Sequence, residues 1–428
     1  MKILNNKQDA IKELKRISSR TNFENNNKIN AIVEEILREV KTYGDIAVEK
    51  YTKKFDGFNP NPMQVSASDL KDAWDEIDGD LKRSLELAHK RIKKFHEKEI
   101  PSSFTLKGEH GDTVQRRWKP VKNAGIYIPG GRAAYPSTVL MNAIPAKVAG
   151  VQEIIMVSPG NREGTINKTV LAAAHLSGIN KVFRIGGAQA IGALAFGTNQ
   201  IDKVDVISGP GNIYVTTAKK LIYGSTGIDS LAGPSEILII ADETAQSTHI
   251  ASDLLAQAEH DPLASSILLT TSMEQAKKVF EELYKKIDDH PRKEICMQSI
   301  KNWGLIVICE NYDSCIELSN DFAPEHLEIL TFDPKKILEG IDNAGAIFLG
   351  NWTPEAVGDY LAGPNHTLPT SGNSRFSGSL GVETFMKNTS IIEFTEESLR
   401  VNSLDIINLA KSEGLHSHAN SVQIRFQD

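Results

Sequence analysis

The sequence predicts an α/β protein with two parallel-sheet domains, a helical N-terminal segment and small C-terminal segments. Three observations predict it. Apolar residues recur at three- and four-residue spacing up to about Lys98, as in amphipathic helices. After Lys119 short β-rich runs alternate with helix-like stretches rich in Ala, Leu and Lys, the pattern of βαβ units. That alternation comes in two series, so two sheets are expected rather than one.

The helical part contains INAIVEEILREVKTYGDIAVEKYTKKF and DLKRSLELAHKRIKKFHEKEI, punctuated by Gly44 and by the stretch Phe55–Pro62. The first β series is GIYIPG from Gly125, EIIMVSP from Glu153, KVFRIGG from Lys181, KVDVISG from Lys203 and EILIIAD from Glu236. The second is SSILLTTS from Ser265, GLIVICEN from Gly304, LEILTF from Leu327 and GAIFLGNW from Gly345. The final piece, from Ser398, reads as a helix, a loop and a short strand that could pair with another subunit.

Composition narrows the class. With 428 residues the chain is long enough for two or three domains, and 40% hydrophobic with 24% charged residues is ordinary for a globular protein. A net charge of -7 gives no electrostatic reason to expect nucleic acid. Three cysteines, Cys296, Cys309 and Cys315, are too few for a disulfide framework and form no CxxC pair. A bound metal would therefore need nitrogen and oxygen ligands. No run approaches 18 apolar residues, so no membrane span is expected. The polar start, MKILNNKQDAIKELKR, has no apolar signal region, and the expected compartment is the cytoplasm.

Three glycine-rich stretches follow predicted strands: YIPGGR (Tyr127 to Arg132), RIGGAQAIG (Arg184 to Gly192) and SGPGN (Ser208 to Asn212). Glycines let the backbone approach a phosphate, and a following helix N-terminus offers free N–H groups. None is a GxGxxG, so the two domains are expected to be Rossmann-like but incomplete. On these residues alone, tight turns in an α/β sheet remain the alternative.

Four segments carry acid–base or metal-ligating types. In SDLLAQAEHDP, Gln257 and His260 are i and i+3 on one helix face, with Asp253 a further turn back. In FAPEHLEI, Glu325 and His326 are adjacent, and both can serve one cleft only from an irregular turn near Pro324. A histidine there suits proton transfer near neutrality, with a carboxylate to orient it or to activate water. In AVGDYLAGPNHTLPTSG, Asp359 and His366 lie in a Gly/Pro-rich segment after a strand, and strand C-terminal ends are where open α/β sheets place ligands. In EGLHSHANS, Glu413, His416 and His418 stand near the C-terminus, and an HxH pair on a strand would share a face. Gln257, His260, Asp359 and a C-terminal histidine form a nitrogen and oxygen set that suits Zn²⁺ and tolerates Mn²⁺ or Co²⁺. Each segment alone could equally be a structural or solvated feature.

Taken together and in order, the segments resemble the histidinol dehydrogenase family, from AGIYIPGGRAAYPSTVLMNAIPA to EGLHSHANSVQIR. The densest likeness is in GPGNIYVTTAKKLIYG, DSLAGPSEILIIAD, DLLAQAEHDP, APEHLEI and GDYLAGPNHTLPTSG. The resemblance implies a zinc-containing, NAD-dependent enzyme that oxidises L-histidinol to L-histidine through histidinal, in histidine biosynthesis. It implies Gln257, His260, Asp359 and His418 as zinc ligands, the last from the partner subunit of a homodimer with shared active sites. His418 is preferred to His416 because it lies five residues after Glu413, and His416 has no assigned role. Glu325 and His326 are the implied acid–base pair; Ser235, His366 and Glu413 the implied substrate contacts, alongside the ligands and the pair; Tyr127, Gln189 and Asn212 the implied NAD contacts. The cysteines match no catalytic role, so no thioester intermediate is expected.

Pro and Gly positions divide the chain into a helical segment 1–23, a first part of the larger α/β domain 24–133, and a second, NAD-side α/β domain 134–234. The remainder of the larger domain, with metal and acid–base site, follows at 235–380, then small C-terminal segments at 381–428 reaching the partner subunit. Two rival readings use the same residues: a metal-dependent hydrolase with metal-activated water, and a non-catalytic metabolite-binding protein. NADH formation separates them from a dehydrogenase.

Overall fold

The computed structural model describes residues 1–21, 27–130 and 134–427. The strands in chain order are β1 Lys2–Leu4, β2 Phe104–Lys107, β3 Thr113–Pro120, β4 Asn123–Tyr127 and β5 Glu153–Val157. They continue with β6 Lys181–Phe183, β7 Val206–Ser208, β8 Gly227–Ile228, β9 Glu236–Ala241 and β10 Ser265–Thr270. The last are β11 Gly304–Ile308, β12 His326–Leu330, β13 Ala346–Leu349 and β14 Met386–Glu393.

Two all-parallel sheets organise the chain. One has the order β6-β5-β4-β7-β8, the other β1-β11-β10-β9-β12-β13. Leaving out the edge strand β1, each sheet runs 3-2-1-4-5 in order of appearance. Parallel strands need helical crossovers on both faces, so their residues are buried on both sides. Every residue of β9 and β10 is buried. Along β9, Ile237 and Ile239 enter one core while Leu238 and Ile240 enter the other, as a two-residue period requires.

Several sequence expectations change here. The N-terminal segment is not wholly helical, because Lys2–Leu4 adds β1 to the six-stranded sheet beside β11. Most buried residues of 27–130 fall in the two cores that flank the five-stranded sheet. Val33, Ile36 and Val40 of helix Asn27–Tyr43 share one core with Ile155 and Val157 of β5, and Leu85, Ala88 and Ile92 of helix Gly79–His96 join the other, where Leu380 also packs. β4 itself lies at the centre of that sheet. The expected breaks at 23/24 and 133/134 fall on or beside residues outside the described ones.

A third, antiparallel sheet, β14-β3-β2, has no counterpart in the sequence reading. Its strands are largely exposed and mix polar with apolar residues, so no apolar run marks them. The C-terminal strand is absent among the described residues: His416–Gln423 is a helix followed by a 3-10 turn, Ile424–Phe426. Ala419 and Val422, three apart, face one small core with Ile407 and Ala410 of helix Glu396–Ser412, which is helical spacing. Among the described residues no helix is long and apolar enough to cross a membrane.

One connection sets the geometry of everything that follows. β8 ends at Ile228 on the carboxyl edge of the five-stranded sheet, and β9 begins at Glu236 on the amino edge of the six-stranded one. The link between them is short, so these two edges face each other. Thr216 donates to Ala232 O and Gly233 N donates to Thr370 Oγ1, tying the link to both sides. The opposite, carboxyl edge of the six-stranded sheet is closed between β9 and β12 by Asp242, which accepts from Phe332 N and Tyr312 Oη at 2.9 Å each.

Candidate active site

Five of the expected residues meet at the amino edge of the six-stranded sheet. The sequence reading looked to strand carboxyl ends, but helices returning along the sheet bring their own ends back to the amino edge. Helix Ser247–Ala258 does so after β9 and delivers Gln257, with His260 just beyond it. The short helix Glu355–Tyr360 does so after β13 and delivers Asp359.

Glu325 and His326 sit where β12 begins. The turn before them is irregular, as expected: Ala323 has φ +54° and Pro324 follows. Their two side chains then clasp the main chain of one residue on the neighbouring strand. Glu325 Oε2 accepts from Glu236 N at 2.9 Å, and His326 Nδ1 donates to Glu236 O at 3.1 Å. That donation fixes the tautomer, leaving Nε2 with its lone pair. Burial pushes the imidazole down to about 4, so it is a neutral base near pH 7. Burial drives the Glu325 carboxyl well above the usual range, partly offset by the Glu236 N–H.

His260, Glu355 and Asp359 place one nitrogen and two carboxylate oxygens within 4.8 Å of one another. Glu355 is buried, and its Oε1 lies 3.6 Å from His326 Nδ1. The Gln257 amide ends beside it: with the nitrogen turned to Glu355 it donates at 2.6 and 3.2 Å, and its oxygen accepts from Glu236 N at 2.7 Å. His366 Nδ1 donates to Asp359 O at 3.0 Å, and its Nε2 lies 3.4 Å from Thr138 Oγ1 across the cleft. Ser235 lies on the link into β9, where its carbonyl accepts from Ser265 N.

The expected NAD contacts lie on the facing edge. Tyr127 ends β4, Asn212 caps helix Ile213–Ile222 after β7, and Gln189 is in the first turn of helix Gly187–Phe196 after β6. β4 and β7 flank the point where the strand order reverses, which is where such sheets bind nucleotides. Tyr127 Oη accepts from Gly187 N at 3.2 Å, and burial pushes the phenol up to about 12. Gly209, at φ +115°, passes so close to Tyr127 that a Cβ would stand 2.1 Å from its carbonyl oxygen. Residues 131 and 132 of YIPGGR, with 133 beyond it, lie outside the described residues.

Two expected residues do not join the site within this chain. Glu413 and His418 are exposed and belong to the small C-terminal unit, and the His260 donor group does not include His418. Nor do His416 and His418 share a face. On a helix, residues two apart point about 200° apart, where a strand would have aligned them.

Sequence reasoning missed four residues. Arg20 is buried and pairs with Glu236 Oε1 at 3.0 Å, while its other nitrogens donate to Pro234 O and Leu263 O. Nothing in its helical context signals that role 216 positions away. Glu236 and Glu328 lie inside apolar strand runs, where a lone carboxylate was itself a signal. Glu355 stands four residues before Asp359, the spacing that puts both on one helix face.

A family model described as histidinol dehydrogenase matches residues 19–426. The chain belongs to the histidinol dehydrogenase family. A curated histidinol dehydrogenase of Prochlorococcus marinus (strain MIT 9312) is 90% identical over 428 residues, covering 100% of this chain and 97% of that one. That of Synechococcus sp. (strain ATCC 27144 / PCC 6301 / SAUG 1402/1) is 50% identical over 429 aligned residues, covering 100% and 99%. The crystal structure of histidinol dehydrogenase from Elizabethkingia anophelis superposes with a TM-score of 0.88 at 37% identity, over 92% of this chain and 91% of that one. An acetylating aldehyde dehydrogenase from Geobacillus thermoglucosidasius shares the fold, with a TM-score of 0.52 at 14% identity over 91% and 97%.

The residues suit the two groups the histidinol dehydrogenase family implies. For zinc, the cleft offers nitrogen and oxygen donors, and Glu325, Glu355 and Asp359 crowd negative charge into a buried space that a dication would balance. For a dinucleotide, both amide atoms of buried Gln189 lack a partner among the described residues. The helix it belongs to starts at Gly186–Gly187 with no cap from its N-cap residue; Tyr127 Oη takes the Gly187 N–H, and the N–H groups next in the first turn are those a phosphate would meet.

Proposed function

We propose that this chain oxidises L-histidinol to L-histidine in two steps through histidinal, with NAD as hydride acceptor each time. The observation that carries the reading is the Glu325–His326 clasp on Glu236 beside the His260, Glu355 and Asp359 group. Gln257, His260 and Asp359, with His418 of a second copy, are the proposed zinc ligands. Zinc held there would supply a Lewis acid to help orient the substrate. Ser235, His366 and the second copy's Glu413 complete the substrate contacts.

In the first step His326 Nε2 takes the hydroxyl proton while the carbinol carbon gives its hydride to NAD. In the second, Glu325 accepts a proton from the water that adds to the aldehyde, and the protonated His326 returns its proton to the aldehyde oxygen and so becomes a base again. The resulting hydrate then yields its second hydride, with His326 again taking the hydroxyl proton. Holding the substrate keeps the aldehyde in place between the steps. The buried cysteines stand apart from this cleft, and no thioester is needed. Under this proposal the enzyme works in the cytoplasm as a homodimer, with no nucleic-acid or membrane partner.

The deciding measurement is NADH absorbance with purified protein, L-histidinol, NAD and zinc, with and without a chelator. Expected is about two NADH per histidinol, lost with chelator and restored by zinc. Folded, zinc-loaded protein that forms no NADH would overturn the reading in favour of a hydrolase or a binding protein. His260→Ala is expected to lower zinc content in the purified protein, read by metal analysis. Unchanged occupancy would remove His260 from the ligand set.

A further inference from the structure

Asp253, singled out in the sequence but unused by the reaction, belongs to a second acidic layer behind the metal-facing one. The layer steps back once along each of three elements. Asp253 is one helical turn before Gln257, Glu328 is two residues after His326 on the same strand face, and Glu355 is one turn before Asp359. Glu328 is wholly buried, and its Oε1 accepts from Glu355 N at 2.8 Å. Its Oε2 receives no N–H among the described residues, and the Glu328 carboxyl interacts with that of Asp253.

The helix Glu355–Tyr360 needs such a fixture. It has six residues, far below the length at which a helix holds itself, and its N-cap, Pro354, makes no side-chain cap. Besides the bonds that Gln257 and His366 make to Glu355 and Asp359, two contacts locate it. Glu328 caps its first N–H from the neighbouring strand, and Gly358 lies flat on Phe348, where a Cβ would stand 2.6 Å from the ring. The ring of Phe348 is in turn 6.0 Å from that of His326.

We propose that Glu328, backed by Asp253, is a positioning residue that holds the Asp359 helix in register with the His326 strand and the Gln257 helix. It touches neither substrate nor metal. Its function is to place Asp359 where the donor group closes on one ion. The inference rests on the proposed assignment of Asp359 and Gln257 as zinc ligands.

The test compares Glu328→Asp, Glu328→Leu and Glu328→Gln for zinc affinity, by competition with a chromogenic chelator. Hydrogen exchange over 355–360 in metal-free protein is the second readout. Glutamine keeps an acceptor oxygen at the same reach, so it should stay within about threefold of the parent in affinity. Aspartate, one methylene short, and leucine, with no acceptor, should bind zinc roughly ten- to a hundredfold more weakly. Their 355–360 segment should exchange faster. A merely stabilising residue would lower the melting temperature without this split, and folded Glu328→Asp protein with parental affinity and exchange overturns the proposal. Should leucine fail to fold, aspartate against glutamine still decides. His260→Ala serves as control. If it leaves zinc affinity unchanged, the ligand reading has failed, while the exchange readout, which needs no metal, still judges the positioning role.

Discussion

Replacing His326 with asparagine is expected to lower turnover by roughly 10²–10⁴-fold while zinc content and histidinol binding stay near those of the parent. The separation follows from what each end of the ring does. The Nδ1 side holds Glu236 O, a bond an asparagine amide can donate, so the clasp on β9 survives. The Nε2 side carries the lone pair proposed to take the hydroxyl proton, and asparagine offers no base there. Steady-state turnover with metal analysis and a binding titration reads both halves. Full activity in the variant would remove His326 from the reaction, and lost zinc would mean that the ring supports the metal site instead.

Mixing two inactive variants should restore activity. His260→Ala and His418→Ala are each expected to abolish most turnover, since on the proposed assignment each removes a ligand from every site of a homodimer. If His418 serves the partner's site, a hybrid of the two variants collects both lesions in one site and leaves the other intact. Random re-pairing after unfolding and refolding the mixture should therefore recover about a quarter of the parental rate. The basis is where the residues lie: His418 and Glu413 are exposed, apart from the donor group of their own chain. Around them Leu404 and Leu409 are 72% and 66% exposed, more apolar surface than a solvated helix needs. No recovery, with hybrids shown to form, would return His418 to its own subunit or exclude it.

What could be read from the sequence divides along a physical line. Most strands of the two parallel sheets were legible because burial on both faces forces continuous apolar runs such as EILIIA and SSILLT, whereas the two-residue, half-buried β8 was not read. Half-exposed β2, β3 and β14 leave no such trace. The short β1 was hidden because three residues cannot show a period. At the site, motif order found Gln257, His260, Glu325, His326, Asp359 and His366. Arg20, Glu236 and Glu328 escaped because their partners are long-range main-chain and carboxyl groups, and only folding creates those pairings. The side of the sheet was misjudged for a related reason. A strand's end can be located from sequence, but how far the next helix travels back along the sheet cannot.

The repeated strand order has a consequence for the bookkeeping of electrons. Two sheets of one topology give the chain two reversal points at which a nucleotide could dock, and at the second Asp242 is engaged by Phe332 and Tyr312. Under the proposed reaction, the first reversal point would be the one berth for four electrons. The oxidations would then run in succession through a single doorway, with a spent carrier leaving and a fresh one arriving while the half-oxidised substrate waits. Residence time of the aldehyde, rather than the speed of either hydride step, would be the property such an architecture has to guarantee.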